Sequence, residues 1–194
     1  MGSEMCIRDS VEIAEEDQKA WQMLQLLTAK PILFVCNVEE NSAATGNSHS
    51  DKVVSMAASQ DAGVVIISAQ IEEEISQLEA DEALMFLEEM NLTEAGLDRL
   101  IRAGYELLNL ETYFTAGPKE ARAWTINKDT KAPAAAGVIH GDFERGFIRA
   151  ETISYNDYIK FEGEAGAKDA GKMRVEGKAY VVKDGDVMHF LFNA

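Results

Sequence analysis

The 194-residue sequence has only two cysteines, Cys6 and Cys36. They are far from any C-x-x-C spacing, so neither a disulfide framework nor a zinc knuckle is available, and both are expected to be free thiols. No apolar run approaches the roughly 18 residues needed to cross a bilayer, and the N-terminus lacks the basic-then-apolar layout of a secretory signal. A soluble, cytoplasmic protein is expected, with no membrane partner. Basic residues are scarce: 18 Lys and Arg stand against 34 Asp and Glu, a net charge of −16. Such a chain does not bind phosphate backbones through its bulk field, and DNA is not an expected partner. Internal repeats and low-complexity stretches are also absent. With 46% hydrophobic residues a sizeable core can form, which excludes disordered and fibrous classes.

The charge is unevenly spread. Residues 1–110 hold 6 Lys and Arg against 21 Asp and Glu, and residues 111–194 hold 12 against 13, so the two parts carry −15 and −1. The break suggests a domain boundary near residue 110, with any RNA contact confined to the second part.

The first ten residues, MGSEMCIRDS, lack periodicity and read as a non-native leader. From Val11 to Lys30 helix formers place Trp21, Leu24 and Leu27 on one stripe, and Pro31 ends that helix. Ile32–Cys36 is an apolar run of strand length, the pattern of a strand covered on both faces. After the polar loop from Asn41 to Ser50, residues 51–60 have helical spacing, and Val64–Ile67 is a second apolar run. Strand, helix, strand implies a right-handed parallel crossover whose ligands bind beyond the carboxyl ends of the strands. Ile71 to Asp98 contains ten acidic and no basic residues, interleaved with Ile75, Leu78, Leu84, Leu87 and Met90, the pattern of amphipathic helix with a solvated acidic face. Thr93 is the expected cap of a further helix presenting Leu97, Leu100, Ile101 and Leu108, with Arg99 and Arg102 outside.

Beyond residue 110, five short strands are expected: 112–115, 121–126, 148–154, 179–182 and 187–192. Gly117-Pro118 and Asp184-Gly185-Asp186 suit hairpin turns, and 132–140 and 156–164 read as helices. A small mixed sheet with a helix on one face is the β-grasp pattern.

Three constellations could carry chemistry. Asn37-Val38-Glu39-Glu40 and Ser68-Ala69-Gln70 are the loops at the two strand ends. There an Asn carboxamide can donate to and accept from a purine edge, and backbone groups around Ser68 and Ala69 can complete the pocket. A guanine-reading loop carries Lys one place after the Asn and Asp three places after it; here these are Val38 and Glu40. The Asp accepts from guanine's protonated ring nitrogen and amino group; adenine has no amino group there and an unprotonated ring nitrogen, so the departure is compatible with adenine. The plain alternative is a polar turn after a strand. His140, Asp142 and Glu144 would share one face if extended and could hold a metal, although a turn is the plainer role and no metal site is assigned. Finally, Lys119, Arg122, Lys128, Lys131, Arg145 and Arg149, with Tyr113, Trp124 and Phe147, interleave cations and aromatics as RNA binding requires. Trp124 is better read as core.

The segments NVEE, ISAQIE, GLDRLIRAGYELLNLETYFTAGPKEARAWTI, AAAGVIHGDFERGFIRAE and EGKAYVVKDGDVMHFLFN resemble the carboxyl-terminal half of the YchF / Obg-like ATPase family, from about Val11 to Ala194. The resemblance implies an α/β fold: the carboxyl-terminal part of a P-loop NTPase-like parallel sheet with helices, over 11–88 of an OBG-type nucleotide-binding domain, a helical connector over 89–110, and a β-grasp (TGS) domain over 111–194. It implies ATP preferred over GTP, ATP hydrolysis, magnesium supplied with an upstream half, and partnership with the large ribosomal subunit and RNA. Asn37, Val38, Glu40, Ser68, Ala69 and Gln70 would form the base site, and Lys119, Arg122, Lys128 and Lys131 the RNA contacts. The 194 residues contain no G-x-x-x-x-G-K-[ST] loop, and the Gly cluster from Gly137 to Gly146 has no Lys-Ser/Thr. The expectation is therefore a fragment with base recognition and without hydrolysis, no residue being assigned as catalytic. The competing reading is a stand-alone RNA- or protein-binding module with the α/β part as scaffold.

Overall fold

The computed structural model describes residues 13–27 and 30–193, which divide into two compact units between Leu107 and Leu108. The expected leader, residues 1–10 with Cys6, lies outside the described residues.

In the first unit, the helix expected over 11–30 is reduced to α1 (Gln18–Met23) after a 3-10 turn. Leu24 and Leu27 are exposed, and a short helix that buries no apolar stripe has little to hold it. Strands β1 (Leu33–Asn37) and β2 (Gly63–Ile67) pair in parallel from Leu33↔Gly63 to Asn37↔Ile67. The crossover between them contains α2 (Ser48–Ala58). Asn47 starts that helix: its Oδ1 accepts from the N–H groups of His49 and Ser50, and the Ser50 Oγ accepts from the Asn47 N–H. The strands are half-buried, not covered on both faces as their composition suggested: Val35 and Asn37, on one face of β1, are exposed.

The acidic stretch forms α3 (Ala69–Ile75) and α4 (Ala80–Glu89), which close a small core of Ala43, Ile71, Leu87 and Leu92. Helix α5 (Gly96–Leu107) follows, and two expectations need correction. Thr93 is not its cap, because the helix begins at Gly96, whose N–H donates to the Glu72 carboxylate. The inward face runs through Gly96, Arg99, Leu100, Ala103 and Leu107, whereas Leu97 and Ile101 are exposed. The stripe is rotated by about one residue because the close contact of Gly96 with Ile67 sets the helix phase.

The second unit is a five-stranded mixed sheet of β3 (Leu110–Ala116), β4 (Ala121–Asn127), β5 (Phe147–Ser154), β6 (Arg174–Glu176) and β7 (Asp186–Phe192), in the order β4-β3-β7-β5-β6. The outer pairs are antiparallel, while β3 and β7 run parallel at the centre. Helix α6 (Ala132–Ile139), with Pro133 in its first turn, lays Ala132, Ala135 and Ala136 against Tyr113, Ile126, Ala150, Met188 and Phe190. These small side chains allow close approach, and the Tyr113 hydroxyl donates to the Ala135 carbonyl at 2.9 Å. Short helices α7 (Gly141–Arg145), α8 (Tyr155–Lys160) and α9 (Glu164–Asp169) fill the connections.

The strand expected at 179–182 is only a single bridge, Lys131↔Val181, so the Asp184–Asp186 turn leads into β7 without making a hairpin. Strand β6 was not expected, since a three-residue strand has no readable period. Gly146 is required by close approach: a Cβ there would clash with the Asn193 carbonyl oxygen.

Candidate nucleotide-base site and basic edge

The two strand-end loops meet through one hydrogen bond. Asn37, the last residue of β1, accepts through Oδ1 from the Ala69 N–H of α3 at 2.9 Å, across 32 residues of sequence. An N–H can only donate, so this contact fixes the carboxamide oxygen toward Ala69 and leaves the NH2 group to donate elsewhere. Val38 extends the ladder by donating its N–H to the Ile67 carbonyl at 2.8 Å, and its side chain is 8% exposed. Glu40 opens a 3-10 turn over Glu40–Ser42 and is half-buried. Glu39 precedes it, its carboxyl held below the usual range first by a hydrogen bond to its own backbone and then by the Ser42 hydroxyl, 3.2 Å away.

Ser68 occupies the cap position of α3 but does not cap it with its side chain. The residue is 2% exposed and its hydroxyl has no hydrogen-bond partner. An unsatisfied buried hydroxyl costs about 1–3 kcal/mol, a local cost at the start of α3. Ala69 and Gln70 are exposed in the first turn of α3. Asn37, Val38, Ser68 and Ala69 are thus linked across adjacent strand ends, and Glu40 and Gln70 lie two residues and one residue beyond that linked set, respectively.

The acidic face was read as solvated, and Glu72 departs from that reading. Its carboxylate accepts from the N–H groups of Gly96 at 2.7 Å and Leu97 at 3.0 Å, binding the start of α5 to α3. An acid 24 residues from the helix it caps gives no local sequence signal.

Three of the basic residues line β4, at one edge of the second unit's sheet, while Arg145 is in α7 and Arg149 in β5. Lys119 lies in the turn before it, Arg122 within it and Lys128 in the turn after it, all exposed. Seven strand residues span about 23 Å at 3.3 Å each, so Lys119 and Lys128 form a stripe more than a patch. Lys131 is exposed at the start of α6. The Arg122 guanidinium sits 4.2 Å from the Trp124 ring centroid. Trp124 packs against the core, as expected, and its Nε1 donates to the Thr115 hydroxyl.

The His140–Glu144 segment is not extended. It forms α7, so alternate side chains do not share a face. The His140 Nδ1 accepts from the Asp142 N–H, and Asp142 pairs with Arg145. Among the described residues no three His, Cys, Asp or Glu side chains converge to hold a metal ion.

A family model described as "YchF-GTPase_C: Protein of unknown function (DUF933)" matches residues 110–193. Over 186 residues, 95% of this chain and 51% of the relative, the sequence is 57% identical to the ribosome-binding ATPase YchF of Bacillus subtilis. Over 95% of its length the chain is similar to members of the YchF / Obg-like ATPase family. The family's Obg-like ATPase 1 from Gallus gallus is 44% identical over 86% of this chain and 42% of its own length. The Schizosaccharomyces pombe YchF GTPase structure matches with a TM-score of 0.76 and 34% identity, covering 94% of this chain and 49% of that one. The chain spans about half the length of the curated family members it matches.

Proposed function

We propose that this chain is the base-binding and ribosome-contacting portion of a cytoplasmic ribosome-binding ATPase, with 11–88 part of an OBG-type GTPase-like domain, 89–110 a helical connector and 111–194 a β-grasp TGS domain. The observation that carries the nucleotide reading is the fixed Asn37 carboxamide, whose oxygen is held by the Ala69 N–H and whose exposed side chain leaves the NH2 group to donate. An NH2 donor suits the unprotonated ring nitrogens of adenine. Glu40, where a guanine reader has Asp, supports adenine over guanine. The strand order β4-β3-β7-β5-β6, with a parallel central pair and α6 across one face, supports the β-grasp reading.

Chemistry at the phosphates needs a cradle and a metal, and this sequence contains no G-x-x-x-x-G-K-[ST] loop. No magnesium site is assigned to these residues, and no hydrolytic step is derived for them. In this reading they hold the base: Asn37 donates from its NH2 group, backbone groups near Ser68, Ala69 and Gln70 complete the contact, and buried Val38 ties the loop to β2 through its N–H.

The experiment is titration with ATP, adenosine and GTP, using Asn37→Asp as the diagnostic variant. Asp retains the acceptor for the Ala69 N–H and removes both NH2 donors. Adenosine is expected to compete with ATP, GTP to bind several-fold more weakly, and N37D to lose ATP binding at unchanged melting temperature. Equal ATP binding by N37D would remove the base site.

The ribosome reading rests on the names of the family members and on the basic edge, where no ion pair engages Lys119, Arg122, Lys128 or Lys131 among the described residues. Such an edge suits contact with RNA of the large ribosomal subunit.

A further inference from the structure

Helix α4 points Ala83, Phe86, Leu87 and Met90 inward, toward the small core of the first unit. Its outward face is not uniformly acidic. Leu84 is 62% exposed and Met85 71%, two large apolar side chains side by side. Asp81 and Glu82 lie about one turn before them and Glu88 and Glu89 about one turn after, so carboxylates frame the apolar pair at both ends. Met85 also lines an open groove of about 600 Å³ with Leu78, Phe86, Glu82, Glu88 and Glu89. Among the described residues none of these framing carboxylates has a Lys or Arg partner. Neither helix stability nor the nucleotide reading accounts for exposing Leu84 and Met85.

We infer that this face of α4 docks a basic, amphipathic segment of a partner protein, whose apolar side covers Leu84 and Met85 while Lys or Arg residues meet Asp81, Glu82, Glu88 and Glu89. Charge selects the occupant. A second copy would set two groups of four carboxylates against each other, and a nucleic acid would bring phosphates to the same surface. Ten acidic residues and no basic one between Ile71 and Asp98 strengthen attraction for a cationic partner and speed its encounter. The apolar pair then supplies contact that charge alone cannot, and the unbranched thioether of Met85 adapts to irregular partners.

The test uses the whole chain and a synthetic 14-residue peptide of Leu and Lys spaced as an amphipathic helix, with a scrambled peptide of the same composition as control. Binding is followed by fluorescence anisotropy and by the Met85 methyl resonance. The resonance is expected to move with the amphipathic peptide and much less with the scrambled one. Leu84→Ser with Met85→Ser alters only exposed side chains and is expected to weaken binding about tenfold or more. Asp81→Asn, Glu88→Gln and Glu89→Gln together are expected to weaken it and to flatten its salt dependence. Equal binding of the two peptides, or undiminished binding by the Ser variant, would reduce the effect to general attraction by an acidic protein and overturn the inference. Self-association that depends on Leu84 and Met85, seen by sedimentation equilibrium without peptide, would overturn it in favour of a second copy.

Discussion

Glu72 and Gly96 form a single capping unit: one carboxylate oxygen of Glu72 is 2.7 Å from the Gly96 nitrogen, and the other takes the Leu97 N–H at 3.0 Å. The first amides of a helix have no partner within it, and a carboxylate there satisfies donors and complements the dipole. Glu72→Ala is expected to destabilise the first unit by about 1–2 kcal/mol, the usual cost of losing a good cap. Gly96→Ala should act through the same contact, because a Cβ would lie 2.8 Å from the Glu72 Oε1 and 2.9 Å from the Ile67 Cγ2. Urea unfolding monitored by circular dichroism measures both. If the double variant loses the sum of the two single losses, the residues do not act through one contact.

Base preference should respond to Glu40. Glu40→Asp restores the residue type that accepts from protonated guanine nitrogens, and it is expected to move the ratio of ATP to GTP affinity toward GTP. The shift should be partial, because backbone groups beside Ser68 also shape the pocket. Adding Val38→Lys should move it further but at a cost in stability, since Val38 is buried and a cation there must find water. Paired titrations on a chain joined to a phosphate-binding half decide this; an unchanged ratio in both variants eliminates Glu40 as a determinant.

The parallel β1 and β2 were legible in sequence because two apolar runs flank a helical one, and their carboxyl ends followed from the topology rule. The Asn37–Ala69 bond was not legible, since contact between loops 32 residues apart depends on register. Likewise, Leu97 and Ile101 appeared to be core because helical periodicity fixes a stripe but not its phase against the sheet. The strand at 179–182 failed for another reason: Tyr180 and Val182 are apolar enough for a strand, yet they anchor to α6 and its preceding turn through the Tyr180 and Thr130 carbonyls instead of a ladder. Recognition of the family came from long continuous segments, which carry far more information than Asn-x-x-Glu.

Alkaline pH should loosen the second unit. Burial pushes the Tyr113 hydroxyl up, and burial followed by its bond to Asp186 pushes Tyr180 up. Both therefore favour the neutral phenol in the folded state. Their contribution is fully present below the ordinary tyrosine range, near about 10, and declines as pH rises through and above it, because the unfolded chain ionises first. Melting temperature is expected to fall steeply above about pH 10. Tyr113→Phe should reduce that slope while lowering stability at neutral pH, since the Ala135 carbonyl loses its donor. A slope identical to the parent's would exclude Tyr113 from the alkaline transition.

Ribosome contact through the basic edge should be salt-sensitive and should depend on separated side chains. Lys119 and Lys128 flank β4, so a single anchored phosphate cannot engage both, whereas a phosphate backbone laid along the strand can. Each cation that displaces counterions adds about 0.7–0.9 to the slope of log affinity against log salt. Reversing one Lys should therefore lower the slope by about one such increment, and reversing both should lower it by about two and weaken binding at low salt. The acidic first part opposes approach over a screening length of about 8 Å at physiological salt, so the low-salt signal includes repulsion as well as attraction. That is why the slope, and not the amount pelleted at one condition, is the decisive quantity. Co-sedimentation of the whole chain with ribosomes over a salt series, for the parent, Lys119→Glu, Lys128→Glu and the double variant, supplies it. Stepwise loss of slope places RNA along β4. An unchanged slope with retained binding instead places the contact away from this edge, and Leu84→Ser with Met85→Ser in the same assay then tests whether the acidic face of α4 provides it.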